Sequence, residues 1–270
     1  MSAGPAPRFV IGVAAGGGIL LVATFVALYR VAALDLPDAL LLTGLLVGLP
    51  TLTLAQLPMM AEAVLDRVSA YWGSIGTLAG LGLLGWLVGA RSGGPAAIGF
   101  TPIGIGALAA WTFALTIAGL GTIVVFRQIG LVLSVQESPI LRALLPRSTG
   151  ERSLFGLLSI AAGVGEEVAY RGYAIPVLAP LVGPAGAVAV TSAVFGVLHT
   201  YQGALGIGRT ATMGAVLAWG FLASGSLIPS IIAHTAIDVI AGIMIAERLM
   251  LPESRSGVHE PTSPETEHRA

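Results

Sequence analysis

The sequence predicts an all-α fold: a polytopic integral membrane helical bundle of about eight transmembrane helices. Three observations predict it. Hydrophobic residues make up 55% of the 270 residues and charged residues only 10%, against about 25% charged in a soluble domain. Mean hydropathy is +0.90. Apolar stretches near the roughly 20 residues that cross a bilayer recur along the whole chain. A chain this poor in charge cannot cover a globular surface, so lipid is its natural solvent and membrane lipids are its expected surroundings. The 37 glycines fit the same reading, because small residues let membrane helices approach closely.

In order, the apolar stretches run over 9–29, 39–58, 71–89, 103–126, 153–175, 183–200, 210–225 and 227–246. The first has too long an apolar run for a secretory signal and is read as a span. A re-entrant segment at 210–225 would reduce the count to seven. Arginine placement favours eight spans with both termini in the cytoplasm. Arg8, Arg67, Arg127, Arg142, Arg147, Arg152, Arg209, Arg248, Arg255 and Arg269 then fall on one side, and only Arg30 and Arg91 on the other. That bias follows the positive-inside rule. The organisation read from this pattern is a four-span unit at 1–126 without a recognisable motif, a cytoplasmic connector at 127–152, a four-span core at 153–250 and a disordered polar tail at 251–270.

Composition excludes several function classes. Net charge is −1, so nothing points to nucleic acid as a partner. There is no cysteine, which removes disulfides, thiolate metal sites and cysteine nucleophiles. Every basic residue is arginine. With the abundance of Ala, Gly, Leu and Val, this suggests a GC-rich genome and a prokaryotic cell membrane. The glycine run at 16–18 is read as helix packing, since no strand precedes it as in a phosphate loop.

Ionisable groups inside a span cost about 2.5 to 3.5 kcal/mol each at its centre. The first four stretches carry almost none in mid-span. The last four carry Glu166, Glu167, Arg171, His199, His234 and Asp238. Glu167 and Arg171 are four residues apart and share a helix face, so they can pair. Glu166 sits about 100° away around the helix and needs a partner from elsewhere. Phe195 with His199, and His234 with Asp238, repeat the four-residue spacing on two further spans. Each of these has a bland reading: a packing ion pair, an interfacial histidine, an interhelical hydrogen bond. Burying three polar faces toward one another is nevertheless the cheapest arrangement, and it gathers the groups of a hydrolytic site. His259 and His268 fall in the polar tail and carry no such signal, while Glu62, Asp66 and Arg67 read as a solvated helix end.

In chain order these residues read Glu166-Glu167-Val168-Ala169-Tyr170-Arg171, Phe195-Gly196-Val197-Leu198-His199 and His234-Thr235-Ala236-Ile237-Asp238. They resemble the EExxxR, FxxxH and HxxxN/D motifs of the CPBP family, which includes CAAX prenyl proteases, abortive-infection proteins and bacteriocin-processing and self-immunity proteins. The resemblance covers roughly 150–246. It implies an intramembrane endopeptidase of the glutamate type, acting on a membrane-associated or lipidated peptide and needing no cofactor. Glu166 would activate water with help from His199. His234 would assist the oxyanion, and Glu167, Arg171 and Phe195 would support. The third motif ends in Asp238 where many members have Asn. An ionised carboxylate cannot donate to an oxyanion, so Asp238 would have to be protonated, orient His234 or bind a metal. The alternatives are a metal-dependent endopeptidase with Zn²⁺ on Glu166, His199, His234 and Asp238, and a non-catalytic immunity or scaffold protein. A proton-coupled transporter would call for inverted-repeat symmetry, and no second Glu-Glu or paired-His motif stands in the first half.

Overall fold

The structure is a computed structural model that describes residues 5–62 and 66–246. The tail at 251–270, with His259, His268, Arg255 and Arg269, lies outside the described residues, as does Arg248. Among the described residues there is no strand. Ten α-helices follow one another: α1 (Pro5–Val26), α2 (Leu36–Thr43), α3 (Leu49–Glu62), α4 (Arg67–Gly89), α5 (Ile105–Val132), α6 (Pro139–Ala143), α7 (Thr149–Glu166), α8 (Ile175–Leu198), α9 (Gly203–Ser224) and α10 (Ile228–Val239). Four π-helical segments join or extend them, at Ala27–Val31, Gly44–Gly48, Glu167–Ala174 and Ile240–Met244.

Among the described residues, six continuous helical stretches are long and apolar enough to cross a membrane, and Ile228–Met244 is a shorter apolar one. The stretch Thr149–Leu198 has 50 residues. Unbroken, it would extend about 75 Å, more than twice a hydrocarbon core of about 30 Å. It breaks at Gly183, whose φ of 77° and ψ of 159° are open to glycine and hostile to residues with a Cβ. Pro184 follows. The break divides it into two apolar limbs and gives eight apolar elements in all, in keeping with the number that the sequence predicts. α9 begins at Gly203 rather than near residue 210, and its 22 residues extend about 33 Å. It is long and apolar enough for a full crossing.

Packing runs across the connector. α4 lies against α7 and the π segment that follows it, and α5 lies against α9 and α10. Glycine makes the first of these contacts possible. A Cβ on Gly82 would stand 2.9 Å from the Gly165 Cα, and one on Gly85 would stand 3.1 Å from the Ala169 Cα. The α8–α9 contact has the same character, since a Cβ on Gly196 would stand 2.9 Å from the Ala211 methyl. Without a hydrophobic driving force between helices in lipid, such close backbone approach supplies much of the association. The central core joins Tyr170, Tyr173, Ile175 and Phe195 to Leu42 and Leu45 of the second crossing.

The connector folds back as a strap across one end of the bundle. Tyr71 of α4 donates to the Leu144 carbonyl at 2.5 Å. Glu151, the N3 residue of a capping box on Ser148 at the start of α7, also accepts from Arg67 Nε at 3.0 Å. Arg67 is therefore a tie between α4 and α7 rather than part of a solvated helix end. Asp66 beside it caps α4 by accepting from the Ser69 amide at 3.2 Å.

Candidate active site

Three of the crossings meet at one buried cluster. α7 ends at Glu166, and the chain then widens into the π segment Glu167–Ala174, all of whose residues are buried. π-helical turns inside α-helices often mark functional sites. The widening here lets the two adjacent glutamates address the same partner on α10. Glu167 Oε1 accepts from His234 Nδ1 at 2.9 Å, while Glu166 Oε2 lies 3.6 Å from His234 Nε2. Glu167 Oε1 also accepts from Arg171 Nη1 at 2.8 Å. Glu167 is 0% and Arg171 1% exposed, so this pair is inside the protein, where losing either partner strands a charge. The Arg171 guanidinium also stacks on the Phe195 ring, 4.4 Å from its centroid, a cation–π contact.

Phe195 on α8 is the hub of the cluster. Its ring touches Tyr170 and His199 at centroid separations of 5.8 and 4.8 Å, and His234 edge-on at 6.1 Å. His199 donates from Nδ1 to the Phe195 carbonyl at 2.8 Å, the free carbonyl being available because α8 ends there. That bond commits Nδ1 and leaves Nε2 as the lone-pair nitrogen. Asp238 Oδ2 stands 3.7 Å from His234 Nε2. The sequence pairs His234 with Asp238 by spacing, but the hydrogen bond of its ring goes to Glu167.

Beside the cluster lies a cavity of about 410 Å³, lined by Phe195, His199, His234 and Asp238 on its polar side. Its apolar walls include Phe155, Leu158, Met213 and Ile237, and the strap contributes Leu141, Leu144 and Leu145. Glu166 is not among the lining side chains; its carboxyl, 12% exposed, borders the cavity at His234. The structure thus brings together Glu166, Glu167, Arg171, Phe195, His234 and Asp238, with His199 on the same cavity. Sequence reasoning missed the strap and the polar residues at its far end, Glu137, Gln202 and Arg209. The signal for them was thin: Glu137 stands in a polar connector, and Arg209 reads as one more arginine at a helix end.

A zinc site needs at least three protein donors converging on one point. Among the described residues no three His, Asp or Glu side chains gather in that way.

A membrane-embedded helical bundle with paired glutamates, an arginine and two histidines buried around one cavity is the class of protein that this fold and site define. Residues 149–240 match the family model described as type II CAAX prenyl endopeptidase Rce1-like. The C-terminal part of the chain therefore carries an Rce1-like domain, in agreement with the family resemblance read from the three motifs, and that family is one of peptidases. Comparison with curated proteins and with solved structures gives no match.

Proposed function

We propose that the chain is an intramembrane endopeptidase that hydrolyses a peptide bond in a membrane-associated or lipidated substrate, with Glu166 as the general base. The observation that carries this reading is the disposition of the two glutamates about His234. Glu167 takes one ring nitrogen at 2.9 Å and turns the other toward Glu166 and Asp238. A histidine whose ring is fixed by one carboxylate while its second nitrogen faces a cavity is the arrangement by which an orienting acid prepares a catalytic imidazole.

The steps follow from these positions. Glu166 takes a proton from a water, which attacks the scissile carbonyl. His199 Nε2, left as an acceptor by the bond at Nδ1, helps hold that water. The carbonyl oxygen gains negative charge and receives a hydrogen bond from His234 Nε2–H. Glu166 then passes its proton to the leaving amine. Asp238, as a carboxylate, supports the charged form of His234 rather than donating to the oxyanion itself. Phe195 and Arg171 act by positioning, through the ring contacts and the Glu167 pair. The apolar cavity walls suit a substrate that arrives from the membrane. We place the protein in a prokaryotic cell membrane with both termini and the strap on the cytoplasmic side, as the arginine distribution argues.

The test is a panel of membrane-tethered reporter peptides presented to the full-length protein in lipid. Glu166→Ala should abolish every cleavage that the wild type performs while the protein stays inserted and folded. Cleavage that survives in Glu166→Ala would sink the reading. A cellular phenotype that persists in a variant unable to cleave would favour the scaffold or immunity role.

A further inference from the structure

One end of the cavity has no part in the hydrolysis proposed above. Glu137, in the strap just before α6, is buried and meets Arg209 Nη1 of α9 at 3.0 Å. Arg209 Nη2 donates to Gln202 Oε1, also at 3.0 Å. All three line the cavity that His199, His234 and Asp238 line. Arg209 is the only arginine among its described lining residues, and the chain has no lysine. It is therefore the fixed cation that a ligand in this cavity meets.

A carboxylate already sits on that cation, but its bearer is not one of the crossings. Glu137 belongs to a strap whose one helix, α6, has five residues and starts at Pro139, with Pro146 shortly after it. A buried carboxylate taken off its arginine is costly unless it reaches water. A side chain on a spanning helix cannot make that move, whereas one on a strap at the end of the bundle can. Arg209 is equally costly to leave bare. Exchange of one carboxylate for another satisfies both conditions, because Arg209 stays paired and Glu137 becomes solvated. A guanidinium with a neighbouring amide suits such a guest, since its fork of donors matches a carboxylate.

We infer that Arg209 and Gln202 form a carboxylate-binding site in the cavity, held by Glu137 in the resting protein and taken over by a carboxylate of an incoming peptide, at its chain terminus or on an Asp or Glu side chain. The inference deepens the endopeptidase reading by giving a substrate class, and it rests on that reading only for the word substrate.

The test measures binding of three fluorescent apolar peptides to the full-length protein in lipid nanodiscs, with empty nanodiscs subtracted. One ends in a free carboxylate, one is its terminal amide, and the third is the amide with one internal Glu. At least one carboxylate peptide should bind about fivefold or more tightly than the plain amide, and which one does so identifies the source of the group. Glu137→Gln should tighten that binding, because the resident competitor loses its charge. The double variant Glu137→Gln/Arg209→Gln leaves no stranded charge to unfold the protein, and it should bind all three peptides alike. Equal binding of the three by the wild type, or none, overturns the site; so does a preference that survives in the double variant. Glu166→Gln should leave the preference unchanged. A preference without any cleavage by the wild type would then count against the peptidase reading and not against this site.

Discussion

Two arginine–carboxylate clusters stand on the same helical scaffold in opposite surroundings. Where α2 begins and α4 has just ended, Arg91 pairs with Asp35 at 2.5 Å and with Asp38 at 2.7 Å. The Asp35 side chain there is 54% exposed. Inside the bundle, Arg171 pairs with Glu167 at 2.8 Å with both side chains sealed from solvent. The two are nearly joined, because Tyr173, at the far end of the π segment that carries Glu167, donates to Asp38 at 3.2 Å. The residue types are alike and the distances similar, yet the surroundings give them different work. At the water edge, solvent stands in for a lost partner, and such pairs contribute about 0 to 1 kcal/mol. In the interior nothing stands in, so the pair is worth keeping only where it positions something. What it positions is His234, through the second hydrogen bond on Glu167.

The contrast breaks most visibly at Arg171. Arg171→Met leaves the Glu167 carboxylate buried with His234 as its remaining partner. It should lower stability by about 3–5 kcal/mol, read from thermal unfolding in lipid or detergent. Arg171→Lys should recover only part of this, since an ammonium lacks the planar face that stacks on Phe195. A stability close to wild type in Arg171→Met would put the interior pair on a par with the exposed one and remove the contrast.

Glu167→Gln asks what the interior cluster is for. It keeps the volume and one acceptor while removing the charge that fixes the His234 ring. Activity should fall by about 10- to 100-fold, with less effect on unfolding temperature than Arg171→Met. Full activity in a folded Glu167→Gln protein would mean that the glutamate braces the bundle and does not orient the histidine.

The smallest effect belongs to the exposed cluster. Arg91→Ala should cost about 0.2–1 kcal/mol and leave cleavage unchanged. The Asp38 amide and Arg91 hold Asp35 below the usual carboxylate range. A carboxylate with a depressed value in the folded state adds stability above its unfolded value, and that stability is lost as pH falls through the folded one. The difference between wild type and Arg91→Ala should therefore shrink on acidification, and also at high salt. Thermal unfolding at neutral and acidic pH, with and without added salt, checks both. A difference that grows in acid would contradict the assignment.

Much of this was legible in the sequence because lipid simplifies the problem. Length and apolarity place the crossings, and any mid-span charge has to be explained, which singled out Glu166, Glu167, Arg171, His234 and Asp238. Spacing of four residues correctly paired Glu167 with Arg171. The same rule set His234 beside Asp238, 3.7 Å away, but the hydrogen bond of the His234 ring runs to a residue 67 positions away, and local periodicity carries no long-range pairing. The π segment Glu167–Ala174 left no mark in the pattern either. The strap was the least visible part. A polar connector gives no sign that it folds onto a cavity, and the Glu137–Arg209 pair spans 72 positions.

The central claim is that the interior cluster exists to let Glu166 activate water. The most direct measurement compares peptide termini in the membrane proteomes of cells expressing wild type, Glu166→Gln and Arg91→Ala at equal levels. The account predicts a set of new termini in the wild type that persists in Arg91→Ala, disappears in Glu166→Gln and is replaced there by uncut membrane-bound precursors. The same termini appearing undiminished in Glu166→Gln would contradict it.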